Sequence, residues 1–423
     1  MAKLQNITAF EILDSTGNPA LSVTVHLDDG TSEIASTANN HFPASFGVID
    51  IKDNDPKRFQ GNGLLQAIQI IESIIKPRLI GFEANNQQGI DGILLSLDTS
   101  VNKNKIGGNT MTAISMAIAK AAAKSKNEPL FIYLQKMIAA EGIRLPVPIF
   151  TLIDGGKNAN YNTEIDEFVI LPATNKTLSQ SIELGALSHK LLAQTLMKEN
   201  ILPFTGEKGG LAPLLSTNED ALSLINQAFD SVNIRLGYDA YLGLNANANT
   251  FYKDEHYKLK DHNIPMKRGE LIKFYAELCK KYHVLYLEDP MADEDIDGWA
   301  ELFNSLSSST IIAGDYYTST NPARLQMALT KKTINGIVLK PSSVGTITET
   351  LAVAVMARTA GLKIIISDNT ATTNDTFLTD LSVAISADYV RFGAPVRGER
   401  TVKYNRLLEI EKLLNTNSIS GKE

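Results

Sequence analysis

From residue 146 onward the chain repeats one pattern: a short apolar run that ends on a polar or charged residue. The runs are "PVPIFTLIDGG", "EFVILPA", "AYLGLNAN", "VLYLEDP", "TIIAGDY", "GIVLKPS", "KIIISDN" and "YVRFGAP". Helical segments such as "TLSQSIELGALSHKLLAQTLMKEN" and "TETLAVAVMARTAG" separate most of them. This many strand–helix units predict a parallel sheet closed into a β/α barrel. The first 140 residues have another rhythm. The alternating runs "NITAFEILDS" and "ALSVTVHLDD" flank a "TGNP" turn, which predicts a hairpin. "ASTANNHFPASFG" reads as a loop, and helical patterns follow, the last of them the alanine-rich "NTMTAISMAIAKAAAKSK". The reading is an α+β unit over 1–140 and a barrel over 141–423.

Composition narrows the partners. A formal charge of -7 over 423 residues gives no electrostatic reason to expect nucleic acid. No apolar run approaches membrane-spanning length, and the start lacks the apolar stretch of a signal peptide, so a cytoplasmic protein is expected. Cys279 is the sole cysteine, which rules out an intramolecular disulfide and reads as a packed thiol on a helix. The six histidines are scattered, without metal-ligand spacing.

Barrel enzymes carry their chemistry at the carboxyl ends of the strands. Here those tips place Glu167, Asn245, Glu288, Asp315, Lys340, Asp368 and Arg391. Glu288 and Asp315 on successive strands suit a hard cation such as Mg²⁺, and Lys340 on the next strand suits a base beside it. Any one of these alone reads as a solvated charge; the three together read as a site.

At these residues the chain resembles the enolase family, the Mg²⁺-dependent enzymes that interconvert 2-phosphoglycerate and phosphoenolpyruvate. The resemblance runs from "EILDSTGNPALSVTVHLDDG" through "GNTMTAISMAIAKAAA", "LPVPIFTLIDGG", "YLEDPM" and "VLKPSSVGTITETL" to "VKYNRLLEIEK". It implies an N-terminal α+β domain capping an eight-stranded barrel. It also implies that Glu288 and Asp315 are metal ligands, that Lys340 is the base, and that Glu167 is an active-site carboxylate. The third metal ligand, an aspartate in the family, is Asn245 here, which leaves a weakened Mg²⁺ site.

Other positions depart from the family pattern. Where the family has G-D-E-G-G, this chain has Gly206-Glu207-Lys208-Gly209-Gly210, so Lys208 replaces the glutamate that assists departure of the hydroxyl. The serine loop aligns with "NNHFPA", around Phe42, and the active-site histidine is Asn158. The phosphate-gripping S-H-R-S becomes Ser367-Asp368-Asn369-Thr370, with Asp368 expected to repel phosphate. Asn158 and Thr370 remain candidate substrate contacts. The carboxylate-binding lysine is Arg391, which keeps the charge, and Asp166 stands where the family has glutamine. The family's inter-subunit salt bridge falls on Ser22 and Glu409, so a homodimer is expected only weakly.

Loss of a general acid or base typically lowers a rate by about 10² to 10⁴. The first reading is therefore an enolase-family protein with little or no phosphopyruvate hydratase activity and a binding or structural role. A second is a Mg²⁺-dependent lyase or isomerase acting on a non-phosphorylated carboxylic acid, with Lys340 and Lys208 as its proton-transfer pair. A third is residual glycolytic hydratase activity.

Overall fold

Eight strands close into a barrel in chain order: Val147–Asp154, Glu167–Pro172, Ala240–Asn245, Val284–Glu288, Ile311–Gly314, Gly336–Leu339, Lys363–Ser367 and Tyr389–Gly393. The computed structural model describes residues 1–39, 45–138, 142–260 and 262–416. Phe42 and the expected boundary at residue 140 lie outside the described residues.

The expectation of an all-parallel sheet is corrected at one strand. Glu167–Pro172 runs antiparallel to both neighbours, pairing Asp154 with Glu167 on one side and Glu167 with Asn245 on the other. The physical reason is the connection. Between residues 154 and 167 there is only a short 3₁₀ turn, Gly156–Ala159, and no crossover helix. Without such a crossover the chain can only double back. Glu167 therefore stands at the amino end of its strand, yet at the same barrel mouth as the carboxyl ends of the others.

Side chains alternate in and out along every strand. Ile149, Val169, Tyr286, Ala313, Val338, Ile365 and Tyr389 form the interior cluster. Two residues further toward the mouth, the same inward series continues as Thr151, Glu167, Glu288, Asp315, Lys340, Ser367 and Arg391. The outward series, including Phe150, Phe168, Leu287, Ile312 and Val390, packs under the surrounding helices. The helix Leu178–Lys198 begins with a capping box at Thr177 and Gln180, and it lies against Phe150 through Gly185.

The N-terminal domain is a three-stranded antiparallel sheet, Leu4–Leu13, Pro19–Leu27 and Ser32–Ala38, backed by helices. The third strand corrects the reading of residues 35 to 38 as loop. Its small residues pair with Ala20 to Val23, and Ala35 and Ala38 are buried. Weak local propensity is overridden there by packing. "GGN" at residues 107 to 109 opens the helix Gly108–Ser125.

The sheet domain docks on the barrel mouth. Asp14 caps its own turn by accepting from the Thr16 and Asn18 amides (2.8 and 3.0 Å), and Ser15 N–H donates to the Thr372 carbonyl (2.9 Å). Lys120 pairs with Asp375 at 3.0 Å, and Thr112 donates to the Gly345 carbonyl at 3.1 Å. Ser22 is buried in its strand, while Glu409 accepts from Arg406 of its own helix at 3.1 Å. Trp299 is buried and stacks on Tyr317 with ring centroids 4.1 Å apart. Among the described residues no helix is long and apolar enough to cross a membrane.

Gly185→Ala tests the helix-to-barrel contact. A Cβ there would lie 2.4 Å from the Phe150 ring. Helix propensity alone would favour alanine by about 1 kcal/mol, but overpacking costs about 1–3 kcal/mol. A net loss of stability is expected, read as a lower urea midpoint.

Candidate functional site

The loop 203–213 is built around one buried carboxylate. Asp154 Oδ2 accepts from the backbone amides of Lys208 (3.1 Å) and Gly210 (3.0 Å). Gly206 allows this approach, since a Cβ at that position would lie 2.4 Å from the Asp154 side chain. Gly209 takes a φ of 83°, a left-handed conformation that suits glycine. The Lys208 carbonyl accepts from Ala394 N–H at 3.0 Å, which ties the loop to the last strand. Lys208 is thus a buried group in a pinned turn, with no resemblance to a solvated loop lysine.

Its ammonium donates to Glu167 Oε1 at 2.6 Å. The same oxygen accepts from Arg391 Nη1 at 2.5 Å and from Asn245 Nδ2 at 2.9 Å. Glu167 Oε2 accepts from the Thr151 hydroxyl at 2.7 Å. Burial opposes ionisation of this glutamate, but Arg391 and Lys208 outweigh it and hold the carboxyl far below its usual range. Burial also lowers the pKa of Lys208, against the pull of Glu167.

Arg391 departs from its expected role. Only 1% of it is exposed, and it does not reach the cleft as a carboxylate anchor. Its second terminal nitrogen donates to Glu288 Oε1 and lies 3.6 Å from Asp315 Oδ2. Glu288 Oε2 accepts from the Tyr286 hydroxyl. Asp315 holds Lys340 Nζ at 2.5 Å, and Asp289 fixes the Asp315 turn by accepting from the amides of Asp315 (2.9 Å) and Tyr316 (2.8 Å).

Asp368 is the second departure. Coming one residue after inward Ser367, it turns outward and meets Lys403 at 2.9 Å and the Thr372 hydroxyl at 2.5 Å. Burial opposes its charge, but Lys403 and Arg400 outweigh it and hold the carboxyl below its usual range. Its charge is thus matched by Lys403 and Arg400, and it is not among the residues lining the cleft. Thr370 does face the cleft, donating to Asn158 at 3.2 Å, while Arg400 clamps the loop by donating to the carbonyls of Asn369 (3.0 Å) and Thr370.

Above the charged cluster lies a cleft of about 400 Å³. Lys208, Lys340, Asn245, Asp315, Asn158 and Thr370 all line it, together with Lys157, Asp166 and Glu207. Asn18 and Asn39 from the N-terminal domain, with Asn247 and Asn369, add further carboxamides. Two buried acceptors there, Asn245 Oδ1 and Asp166 Oδ1, have no hydrogen-bond partner among the described residues. Sequence reasoning missed Asp154, Asp289, Asn247 and Thr151. The period-2 rule applied to "IFTLID" flags Thr151 as inward, whereas Asp289 and Asp154 act through backbone amides and leave no comparable signal.

The donor set does not fit a bound Mg²⁺. That ion requires free oxygens in near-octahedral array. All four glutamate oxygens of Glu167 and Glu288 already accept from protein donors, and Asp315 holds an ammonium. Of the three expected ligands Asn245, which gives its N–H₂ to Glu167, keeps one buried oxygen without a partner among the described residues, and one such oxygen does not make a Mg²⁺ site. Among the described residues no group of three or more histidine, cysteine or acidic side chains is placed to hold a metal ion.

Barrel and site together define a capped β/α-barrel protein whose acid–base residues converge at one mouth beneath an α+β domain. Comparison with known sequences makes this specific. The family model for "Enolase, C-terminal TIM barrel domain" matches residues 142–423, and that for "Enolase, N-terminal domain" matches 4–134. An enolase of Acidothermus cellulolyticus is 38% identical over 415 residues, covering 98% of this chain and 95% of that protein. An enolase of Beutenbergia cavernae is 35% identical over 411 residues, covering 97% and 95%. The chain belongs to the enolase family.

Asp166 supplies a pH test. Burial pushes its carboxyl up from 3.8 to about 7, against the hydrogen bond that Asn247 donates at 2.6 Å. An acid with a raised folded pKa favours the native state fully below its unfolded value, and that advantage is lost as pH rises through the folded one. Asp166→Asn keeps the acceptor and removes the titration. Urea unfolding at about pH 5 and about pH 8 should show a loss on the order of 1–3 kcal/mol in the parent that is reduced in the variant. A similar slope from Asp154, also raised to about 7 by burial, remains in both.

Proposed function

We propose that this enolase-family protein has little or no phosphopyruvate hydratase activity and binds a small, unphosphorylated polar molecule at the barrel mouth. The observation that carries this reading is the Lys208–Glu167 pair at 2.6 Å. At the position where the family resemblance expects a glutamate to assist hydroxyl departure, a buried ammonium is engaged by a carboxylate. It has neither the charge nor the free geometry for that step. The lost S-H-R-S arginine removes a bidentate phosphate grip. Arg391, enclosed by carboxylates, supports no substrate carboxylate contact. The ionisable groups lining the cleft balance, Lys157, Lys208 and Lys340 against Asp166, Glu207 and Asp315, and six asparagines surround them. Such a lining suits a ligand of low net charge and many hydrogen-bonding groups.

A second reading has one observation in its favour: Lys208 and Lys340 line the same cleft. Two lysines across one small molecule could exchange a proton α to a carboxylate, as a lyase or isomerase requires. Solvent-deuterium exchange into a bound carboxylic acid, lost in Lys340→Ala, would favour it over simple binding.

For the main reading, conversion of 2-phosphoglycerate should be assayed at high protein concentration with excess Mg²⁺. The expected rate equals that of the protein's own Lys340→Ala variant. Turnover in the parent that disappears in that variant would sink the proposal.

A further inference from the structure

We propose that the Arg391 guanidinium stands in for the family's divalent cation, as a covalently attached positive charge seated among Glu167, Glu288 and Asp315, so that this barrel mouth is built to work without metal. The geometry supplies the first argument. One terminal nitrogen reaches Glu167 at 2.5 Å, and the other donates to Glu288 and lies 3.6 Å from Asp315. A planar guanidinium with two forward nitrogens can engage two carboxylates at once, which the point charge of a lysine cannot. The side chain points inward two residues beyond Tyr389, so it enters the throat from below and is sealed there with 1% of its surface exposed.

Charge supplies the second argument. Arg391, Lys208 and Lys340 face Glu167, Glu288 and Asp315 in a buried cluster, three cations to three anions. Relative to the family pattern, Lys208 in place of glutamate and Asn245 in place of aspartate add three charges, and Asp166 in place of glutamine takes one back. The net change equals the two charges a bound Mg²⁺ would bring, so the cluster is compensated without it. An added divalent ion would enter a buried, low-dielectric site beside three resident cations, where repulsion is weakly screened. The two substitutions and the buried arginine thus form one mutually dependent set.

The test begins with the unmodified protein. After chelator treatment, its thermal midpoint and titration calorimetry are measured against millimolar MgCl₂ and MnCl₂. No shift in midpoint and no saturable heat are expected. Saturable binding that is abolished by Glu288→Gln would overturn the proposal outright. Removing the guanidinium by Arg391→Gln should lower the midpoint in chelator and create a saturable rise of several degrees with Mg²⁺ or Mn²⁺, lost again when Glu288→Gln is added. Because that variant leaves buried carboxylates uncompensated, Arg391→Lys provides a milder opening. It keeps one charge, frees one prong, and should gain weak Mn²⁺ binding detectable by water-proton relaxation. A folded variant of either kind with no metal response would refute the idea. So would failure of both to fold at any metal concentration, since the vacated carboxylates would then have accepted no replacement cation. Hydratase turnover is a separate question, because Lys208 blocks that step whether or not metal binds.

Discussion

The Glu167 carboxylate gathers four donors from four different parts of the chain: Thr151, Lys208, Asn245 and Arg391. Its position depends on the one reversed strand of the barrel, which brings an amino-terminal residue to the mouth. The loop 203–213 reaches it only because Asp154 collects that loop's amides. The last strand reaches it through Arg391, which pairs with Ile149 inside the seam where the barrel closes on Val147 to Phe150. Buried ionic networks of this kind are favourable only when complete, because each missing partner leaves a charge stranded in low dielectric. The stability of the mouth and the identity of its occupants are therefore one problem.

That coupling changes how the departures from the family pattern should be read. Taken singly, Lys208, Asn245 and Arg391 look like separate losses of function. In space they are neighbours around shared carboxylates, and their charges compensate one another. Asp368 belongs to a different set, facing Lys403 and Arg400 on the outer side of the strand end. The cleft above keeps its volume and its carboxamide lining, fed by Asn18 and Asn39 from the capping sheet. Within the cluster three cationic side chains face three carboxylates, while Asp166 beside it keeps a buried oxygen without a partner among the described residues.

Much of this was legible in the linear sequence. Eight apolar runs with polar tips specify a barrel and nearly all of its mouth residues, because strand ends and helix separation are local properties. Lys340, Glu288, Asp315 and Asn245 were identifiable from such tips. Inward or outward facing also follows from spacing: Arg391 sits at an even interval from Tyr389, and Asp368 at an odd one from Ile365. The alternation therefore predicts a throat position for the first and an outer position for the second. The third strand of the N-terminal sheet was not legible, since "SEIASTA" carries weak β-propensity and is held by its neighbours. Nor were Asp154 and Asp289, whose partners are backbone amides of other segments.

By itself, then, the sequence determined the capped barrel, the family and the inventory of charges at the mouth. These rest on local periodicity and on residue identity, both readable without coordinates. Only the tertiary structure decided which charges meet. It turned one strand around, put Lys208 onto Glu167, and set Arg391 between Glu167 and Glu288. Those outcomes depend on distances between segments more than a hundred residues apart, and on burial that makes each ångström of separation count.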